Sequence, residues 1–479
     1  MKIALIYPPG GVYQRGEDRC QANIDTSTAT SMRACNDLGY AAAILLKEKH
    51  EVIIRDYQTE RKSINDAIEE LKDFSPEIIF LSTTNATIFE DIKILKQIKE
   101  EISFKGKIIL KGAIFFDADN KMLELLDLND IDVLIGGETE FCIEDIVKAF
   151  NNEIDFNKID NIFYKDENGV FVKNRFKISD KDLDTIPFPA RHLMNNDLYT
   201  RPDTGEKMAT IQTSRGCPSN CIYCLSPKIS GKMVRFRSPQ NVLEELKECY
   251  EKYDIKNFFF KADTFTINPK WTIELCDLIV NSNLNNKIEF TANSRVKPIS
   301  EELLIAMKKA GCFAIAFGFE TGNEDTMKKI GKGVTVEDNY KAMELAKKVG
   351  LTTYGFYMIG FPWEDKKQIK DTEKLINKLN SDFLEVHIAL PYYGTRLYDM
   401  CEESGVLAEN ILGTDYFNAT TTGTEYLKFE ELMNIRKKII SRYYMRPTYI
   451  LKKLWAARKQ PKVIKNYILY GLRLIKNLF

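Results

Sequence analysis

The sequence predicts an α/β protein built as a doubly wound parallel sheet, an open (β/α)6 barrel and a helical C-terminal tail. Two series of β-branched and aromatic runs alternate with helical patterns, one over residues 1–150 and one over 201–400. At 479 residues the chain is too long for one ordinary hydrophobic core. Residues 151–200 read as a hairpin and linker, and 401–479 as a helical region ending in a basic amphipathic tail.

In the first series the strands are KIALIYPP, EVIIRDY, PEIIFLST, KIILKGAIFF and DVLIGG, with helices near 39–49, 63–74, 88–101 and 141–150. Apolar runs this continuous fit strands buried on both faces. NIFYKDENGVFVKNRFK reads as a hairpin turning at Glu167, Asn168 and Gly169, and the proline-punctuated IPFPARHLM as a connector. The second series runs TIQTSRGC, NFFFKADTF, KIEFTANSRV, AIAFGFETG, TYGFYMIGFP and EVHIALPYYGT. Every unusual polar cluster in it falls at the carboxyl end of its strand, where α/β barrels collect their active sites.

No run approaches the ~18 to 20 consecutive apolar residues of a membrane-spanning helix, and the opening MKIALIYPPGG lacks the basic start of a signal peptide. A cytoplasmic protein is expected. Ten cysteines in such a chain argue for reduced thiols. Seven of them, Cys20, Cys35, Cys142, Cys249, Cys276, Cys312 and Cys401, are scattered and read as packing residues. The formal net charge of -1 hides an asymmetry: thirteen Lys or Arg and no Asp or Glu follow Glu431. An acidic body with a basic apolar tail suits a surface-seeking C-terminus better than a nucleic-acid enzyme.

Cys217, Cys221 and Cys224 do cluster, in a loop after a short strand that lets three thiolates converge. Iron–sulfur clusters are held by thiolates, and a cubane on three cysteines keeps one iron open. A structural zinc site wants four ligands, and no fourth Cys or His lies nearby.

CxxxCxxC after a strand, with Tyr223 before the third cysteine, resembles the signature of radical S-adenosylmethionine (SAM) enzymes. The resemblance implies a 4Fe-4S cluster on Cys217, Cys221 and Cys224, whose open iron chelates the SAM amino and carboxylate groups. It also implies a flavodoxin- or ferredoxin-type reductant and cleavage of SAM to methionine and a 5'-deoxyadenosyl radical. Asp263 in KADTF can accept from the SAM ammonium, and Arg295 in NSRV can pair with its carboxylate. Glu320, ending AFGFE, can hold the ribose hydroxyls, and Gly360 and Pro362 in YMIGFP let the backbone approach adenine.

The first domain resembles the Rossmann-like cobalamin-binding domain that precedes such barrels in one large family. That family includes enzymes of bacteriochlorophyll, hopanoid, antibiotic and phosphonate biosynthesis. The matching pieces are Pro8 and Pro9 after the first strand, Ser82, Thr83 and Thr84 after the third, Gly112 after the fourth, and Gly136, Gly137 and Glu138 after the fifth. Small residues there would admit a corrin nucleotide tail. The DxHxxG signature is absent, since His50, His192 and His387 lack that context, which implies cobalt without a histidine ligand. Lys111 stands where a paired glycine is often found. A domain that keeps this fold and binds nothing is the alternative.

The family offers two chemistries for a small-molecule or lipid-like substrate. One is cobalamin-dependent methylation of an unactivated carbon; the other is non-methylating radical oxidation, rearrangement or coupling. A methylthiotransferase is disfavoured, because Cys20, Cys35 and Cys142 are too dispersed to form a second triad. A non-catalytic iron–sulfur or cobalamin sensor would not need Asp263, Arg295 and Glu320. In the tail, Ile464, Tyr467, Ile468, Leu472, Ile475, Leu478 and Phe479 share one helical face, with Lys462, Lys465, Arg473 and Lys476 on the other. Peripheral membrane contact and ordinary packing on the barrel both fit that pattern.

Overall fold

A computed structural model of the chain describes residues 1–14, 22–25, 32–116, 118–408, 412–414 and 423–478. Cys20, Phe479 and the side chain of Leu478 lie outside the described residues. The chain forms two compact units, the first running to Leu198 and rejoined by residues 412–414, the second formed by most of the chain after it.

The first unit is a seven-stranded sheet of β1 (Lys2–Tyr7), β2 (Glu51–Asp56), β3 (Ile78–Ser82), β4 (Lys107–Lys111), β5 (Val133–Ile135), β6 (Ile162–Lys165) and β7 (Phe171–Lys173). Its order is β2-β1-β3-β4-β5-β6-β7. The first five strands are parallel neighbours. All of β3 is buried, as its unbroken apolar run requires. Helices α1 (Asn36–Lys47), α2 (Ile64–Phe74), α3 (Ile88–Glu101) and α4 (Ile143–Phe150) make the crossovers. At α2 the start is fixed by a capping box, in which Ser63 and Asp66 each bond the other's backbone N–H.

Two features of 151–200 differ from a linker. The β6–β7 hairpin pairs antiparallel with β5 and extends the sheet, because its apolar strand residues complete an edge that β5 would otherwise leave open. The proline segment lies on α1: Pro189 occupies the space where Gly39 lacks a Cβ, and the Ala190 N–H bonds to the Gly39 carbonyl at 2.9 Å.

In the second unit β8 (Met208–Gln212), β9 (Asn257–Lys261), β10 (Glu289–Ser294), β11 (Cys312–Glu320), β12 (Thr352–Ile359) and β13 (Phe383–Ile388) follow one another in chain order. Every neighbouring pair is parallel, and β8 and β13 are not paired with each other, which leaves the barrel open. The crossovers are α5 (Pro239–Tyr253), α6 (Pro269–Asn281), α7 (Glu301–Lys309), α8 (Val336–Val349) and α9 (Lys366–Leu379). All five begin at a Ser, Thr, Asn or Asp whose side chain accepts from the first turn. Phe260 and Phe290 stack at 4.3 Å in the core beneath them.

After α10 (Arg396–Glu403) come α11 (Phe429–Tyr444), α12 (Pro447–Ala457) and α13 (Pro461–Leu478). The edge strand β13 is closed by α11. The Tyr444 hydroxyl both accepts from the Leu384 N–H at 2.8 Å and donates to its carbonyl at 2.9 Å, and Arg436 Nε donates to the Val386 carbonyl at 2.6 Å. No described helix is long and apolar enough to cross a membrane.

Candidate active site

At the carboxyl end of β8 the chain makes a two-residue strand, Ser214–Arg215, paired antiparallel with Arg235–Phe236, and enters the cysteine loop at Gly216. Gly216 adopts a left-handed φ of +100°, and the Met233 carbonyl fills the place of a Cβ. The Cys217 N–H bonds to the Gly231 carbonyl at 2.9 Å, the Ile222 N–H to the Ile330 carbonyl at 3.0 Å, and the Leu397 N–H to the Ile222 carbonyl at 2.9 Å. The loop is thereby tied at its start and, through both backbone groups of Ile222, in its middle.

Cys217 is buried, while Cys221 and Cys224 are partly exposed. Burial pushes the Cys221 thiol up to about 11, against the nearby Lys332 ammonium, which favours the thiolate. Cys142, Cys249, Cys276, Cys312 and Cys401 are buried in the two cores, as is Cys35. Among the described residues no three His, Cys, Asp or Glu side chains stand within reach of a single metal ion. In a four-iron cube each thiolate meets a different iron, a wider arrangement.

The strand-end residues gather around this loop. Asp263, after β9, accepts from the Gly216 N–H at 3.0 Å and from the Ser226 hydroxyl. Arg295, after β10, donates to the Ser219 hydroxyl inside the CxxxCxxC segment and to the Lys332 carbonyl. Both therefore hold the cysteine loop itself, a use the sequence did not suggest.

Glu320 ends β11 at a left-handed φ of +60°, beside a register shift between Gly318 and Glu320. Its carboxylate is bonded to Lys332 Nζ, which also donates to the Gly318 carbonyl. A Cβ on Gly318 would collide with both partners. Lys332 was not foreseen as a site residue. The available signal was Gly331-Lys332-Gly333, two left-handed glycines flanking a lysine, the first packed against the Asn220 carbonyl.

After β12, Gly360 takes φ +86°, and Glu364 accepts from the Gly360 N–H at 2.7 Å and the Phe361 N–H at 3.2 Å. Burial pushes the Glu364 carboxyl up to about 7, opposed by those two backbone bonds. The Tyr223 and Phe361 rings lie 6.2 Å apart, so the Gly360–Pro362 turn adjoins the cysteine loop.

A family model described as the radical SAM superfamily matches residues 211–376. An uncharacterized methyltransferase of Pyrococcus horikoshii is 31% identical over 461 residues, 95% of each chain. The chain belongs to the radical SAM superfamily. As a radical SAM enzyme it uses a 4Fe-4S cluster and SAM. Two further relatives of this radical SAM enzyme are a cytidylyl-2-hydroxyethylphosphonate methyltransferase of Streptomyces wedmorensis, 23% identical over 75% of this chain and 73% of the relative, and an anaerobic magnesium-protoporphyrin IX monomethyl ester cyclase of Rubrivivax gelatinosus, 24% over 71% and 61%. Among solved structures, the cobalamin-dependent radical SAM enzyme OxsB shares the fold over 98% of this chain and 72% of its own, with a TM-score of 0.73 and 18% identity. The radical SAM methyltransferase TsrM of Kitasatospora setae aligns over 84% of this chain and 76% of its own, with a TM-score of 0.64 and 17% identity.

In the first unit the strand order β2-β1-β3-β4-β5 puts the topological switch point between β1 and β3, where ligands of such sheets bind at the carboxyl ends. Pro8, Pro9, Ser82, Thr83 and Thr84 stand there and are buried. Asp37 of α1 accepts from the Tyr7 hydroxyl at 2.8 Å and from Ser82 at 2.7 Å, with Lys111 Nζ 3.7 Å away. Thr83 donates to Asp91 at 2.7 Å. Lys111, a departure in sequence, is thus a buried partner of Asp37. The small size of three glycines is used by neighbouring protein: the Thr83 methyl fills the place of a Cβ at Gly112, the Phe115–Phe116 peptide at Gly136, and Asn161 at Gly137. Glu138 follows, half-buried. His50 sits at the amino end of β2, opposite these loops, bonded to the N-terminal amine.

Proposed function

We propose that Cys217, Cys221 and Cys224 hold the 4Fe-4S cluster and that the enzyme performs cobalamin-dependent radical methylation of an unactivated carbon. The observation that carries the first part is the triple anchoring of the cysteine loop by Asp263, Arg295 and the Ile330 carbonyl. The donor set fits: three thiols on one loop, one raised by burial, gain as thiolates from coordinated iron. A cluster held on Cys217, Cys221 and Cys224 would supply the one-electron reduction that SAM cleavage requires. Asp263 would receive the SAM ammonium, Arg295 the carboxylate and Glu320 the ribose hydroxyls. The Gly360–Pro362 turn, held by Glu364, would lie along the adenine.

For cobalamin, support comes from the switch point with its small-residue loops and from the place of His50 at the opposite end of the sheet. Cobalamin held there would supply the transferred methyl group, and His50 lies too far from these loops to reach it. A second reading, non-methylating radical chemistry without cobalamin, is favoured by one observation: the hydroxyls of Ser82 and Thr83 and the space beside Gly112, Gly136 and Gly137 are taken up within the protein.

Anaerobic reconstitution with iron, sulfide and cobalamin tests both parts. The expected protein carries about four irons, converts SAM to 5'-deoxyadenosine once reduced, and retains cobalamin through gel filtration with a spectrum lacking a histidine ligand. Replacing any of Cys217, Cys221 or Cys224 by Ala removes iron and cleavage together, whereas Cys249→Ala or Cys276→Ala leaves both. Stoichiometric zinc without cleavage overturns the cluster assignment. Protein that stays colourless at cobalamin wavelengths selects the non-methylating reading.

A further inference from the structure

The C-terminal helices carry a feature that the cluster chemistry does not use. In α13 the amphipathic pattern divides in two. Tyr467, Tyr470 and Leu474 face the barrel edge, where Tyr467 meets Phe383 and Tyr470 meets Tyr444, while Ile468, Leu472 and Ile475 face outward, about half exposed. On α12, Tyr449 and Lys453 turn inward onto Asp382, and Leu451 and Trp455 are 67% and 66% exposed. Large exposed apolar side chains are scattered singly elsewhere among the described residues and accumulate here. An apolar groove of about 310 Å³ opens between the two helices, lined by Ile450, Leu454, Gly471 and Leu472.

Cations frame this face. Lys452, Lys459, Lys462, Lys465 and Lys476 are exposed around it, and the Arg458 guanidinium lies 3.8 Å over the Trp455 ring. No acidic residue occurs anywhere after Glu431. A second copy of the chain seated on the same face would bring two cationic strips together. An anionic bilayer offers both an opposite charge and an apolar interior.

We propose that the outer face of α12 and α13 docks this enzyme on anionic lipid surfaces, with Leu451, Trp455, Ile468, Leu472 and Ile475 entering the interface and the lysines meeting the headgroups. The proposal is independent of which radical reaction is performed. The inner face of the same helices keeps them fixed to the barrel, so the membrane would carry the whole catalytic unit.

The full-length reconstituted protein is incubated with vesicles of phosphatidylcholine alone or mixed with phosphatidylglycerol, then sedimented. Binding is expected to be strong on the mixed vesicles and weak on phosphatidylcholine alone, and on the mixed vesicles it should weaken with salt to that weak level without vanishing, because the apolar part is unscreened. Each lysine neutralised should lower partitioning about fivefold, so Lys462→Gln/Lys465→Gln/Lys476→Gln should lower it roughly a hundredfold. Leu472→Ser/Ile475→Ser should remove the salt-resistant remainder. On the unaltered chain, Trp455 emission should shift to the blue on mixed vesicles, since Trp271 and Trp363 are already buried. Iron content and SAM cleavage, read in the same samples, separate a failure here from a failure of the cluster assignment. No sedimentation at low salt, unshifted Trp455 emission, or a dimer that Leu451→Ser/Trp455→Ser dissociates would each overturn the proposal.

Discussion

The Asp263 carboxylate accepts the backbone N–H of Gly216 at 3.0 Å, one residue before the first cysteine of the triad. A side chain at the end of β9 therefore sets the backbone that presents Cys217. Its second partner, the Ser226 hydroxyl, lies just beyond Cys224, so one carboxylate clamps both ends of the loop.

Asp263→Ala should cost about 3 to 6 kcal/mol, from two hydrogen bonds to a charged acceptor. Iron bound per chain after reconstitution should fall with it, read from cluster absorbance. Asp263→Asn keeps an acceptor and should retain most of the iron. Equal iron loss in both variants would mean the charge, rather than the clamp, matters.

Lys332 and Glu320 form a buried pair, each side chain less than a tenth exposed. Lys332→Met leaves a buried carboxylate without its ammonium and should destabilise by roughly 3 to 5 kcal/mol. The double variant Lys332→Met/Glu320→Gln should recover a large part of that, and chemical denaturation of the four proteins measures the coupling.

Glu364 gives a pH signature. Its carboxyl is raised from 4.5 to about 7 by burial, so the folded chain binds more protons than the unfolded chain between those values. Stability from this group is full below the unfolded value and is lost as pH rises through about 7, by up to about 3 kcal/mol. Glu364→Gln can still accept from Gly360 and Phe361, and it should flatten the difference in melting temperature across that window. A slope unchanged by the substitution would place the titration elsewhere.

Tyr444→Phe removes the hydroxyl that serves both backbone groups of Leu384 on the edge strand. A loss of about 1 to 3 kcal/mol in thermal or denaturant unfolding is expected, with iron content unchanged.

Alternation of strand runs with helical patterns determined both parallel sheets, because parallel neighbours need a crossover between them, and central strands such as Ile78–Ser82 are covered on both faces and so are apolar nearly throughout. The three cysteines stand out as the candidate cluster ligands for a local reason, since their spacing is short and thiolate chemistry belongs to the residue type. What the sequence could not show was how Asp263 and Arg295 are used. Their partners, Gly216, Ser219 and Ser226, are 37 to 76 residues away, and only the barrel brings them together. The same holds for Lys332, whose meaning depends on Glu320 across a turn, and for the β6–β7 hairpin, which becomes a sheet edge only when β5 is beside it. In the tail, periodicity set out an apolar stripe, but which half of it faces the barrel was decided by contact with Phe383 and Tyr444. A hydrophobic pattern shows that surface must be buried, and only tertiary structure decides which neighbour buries it.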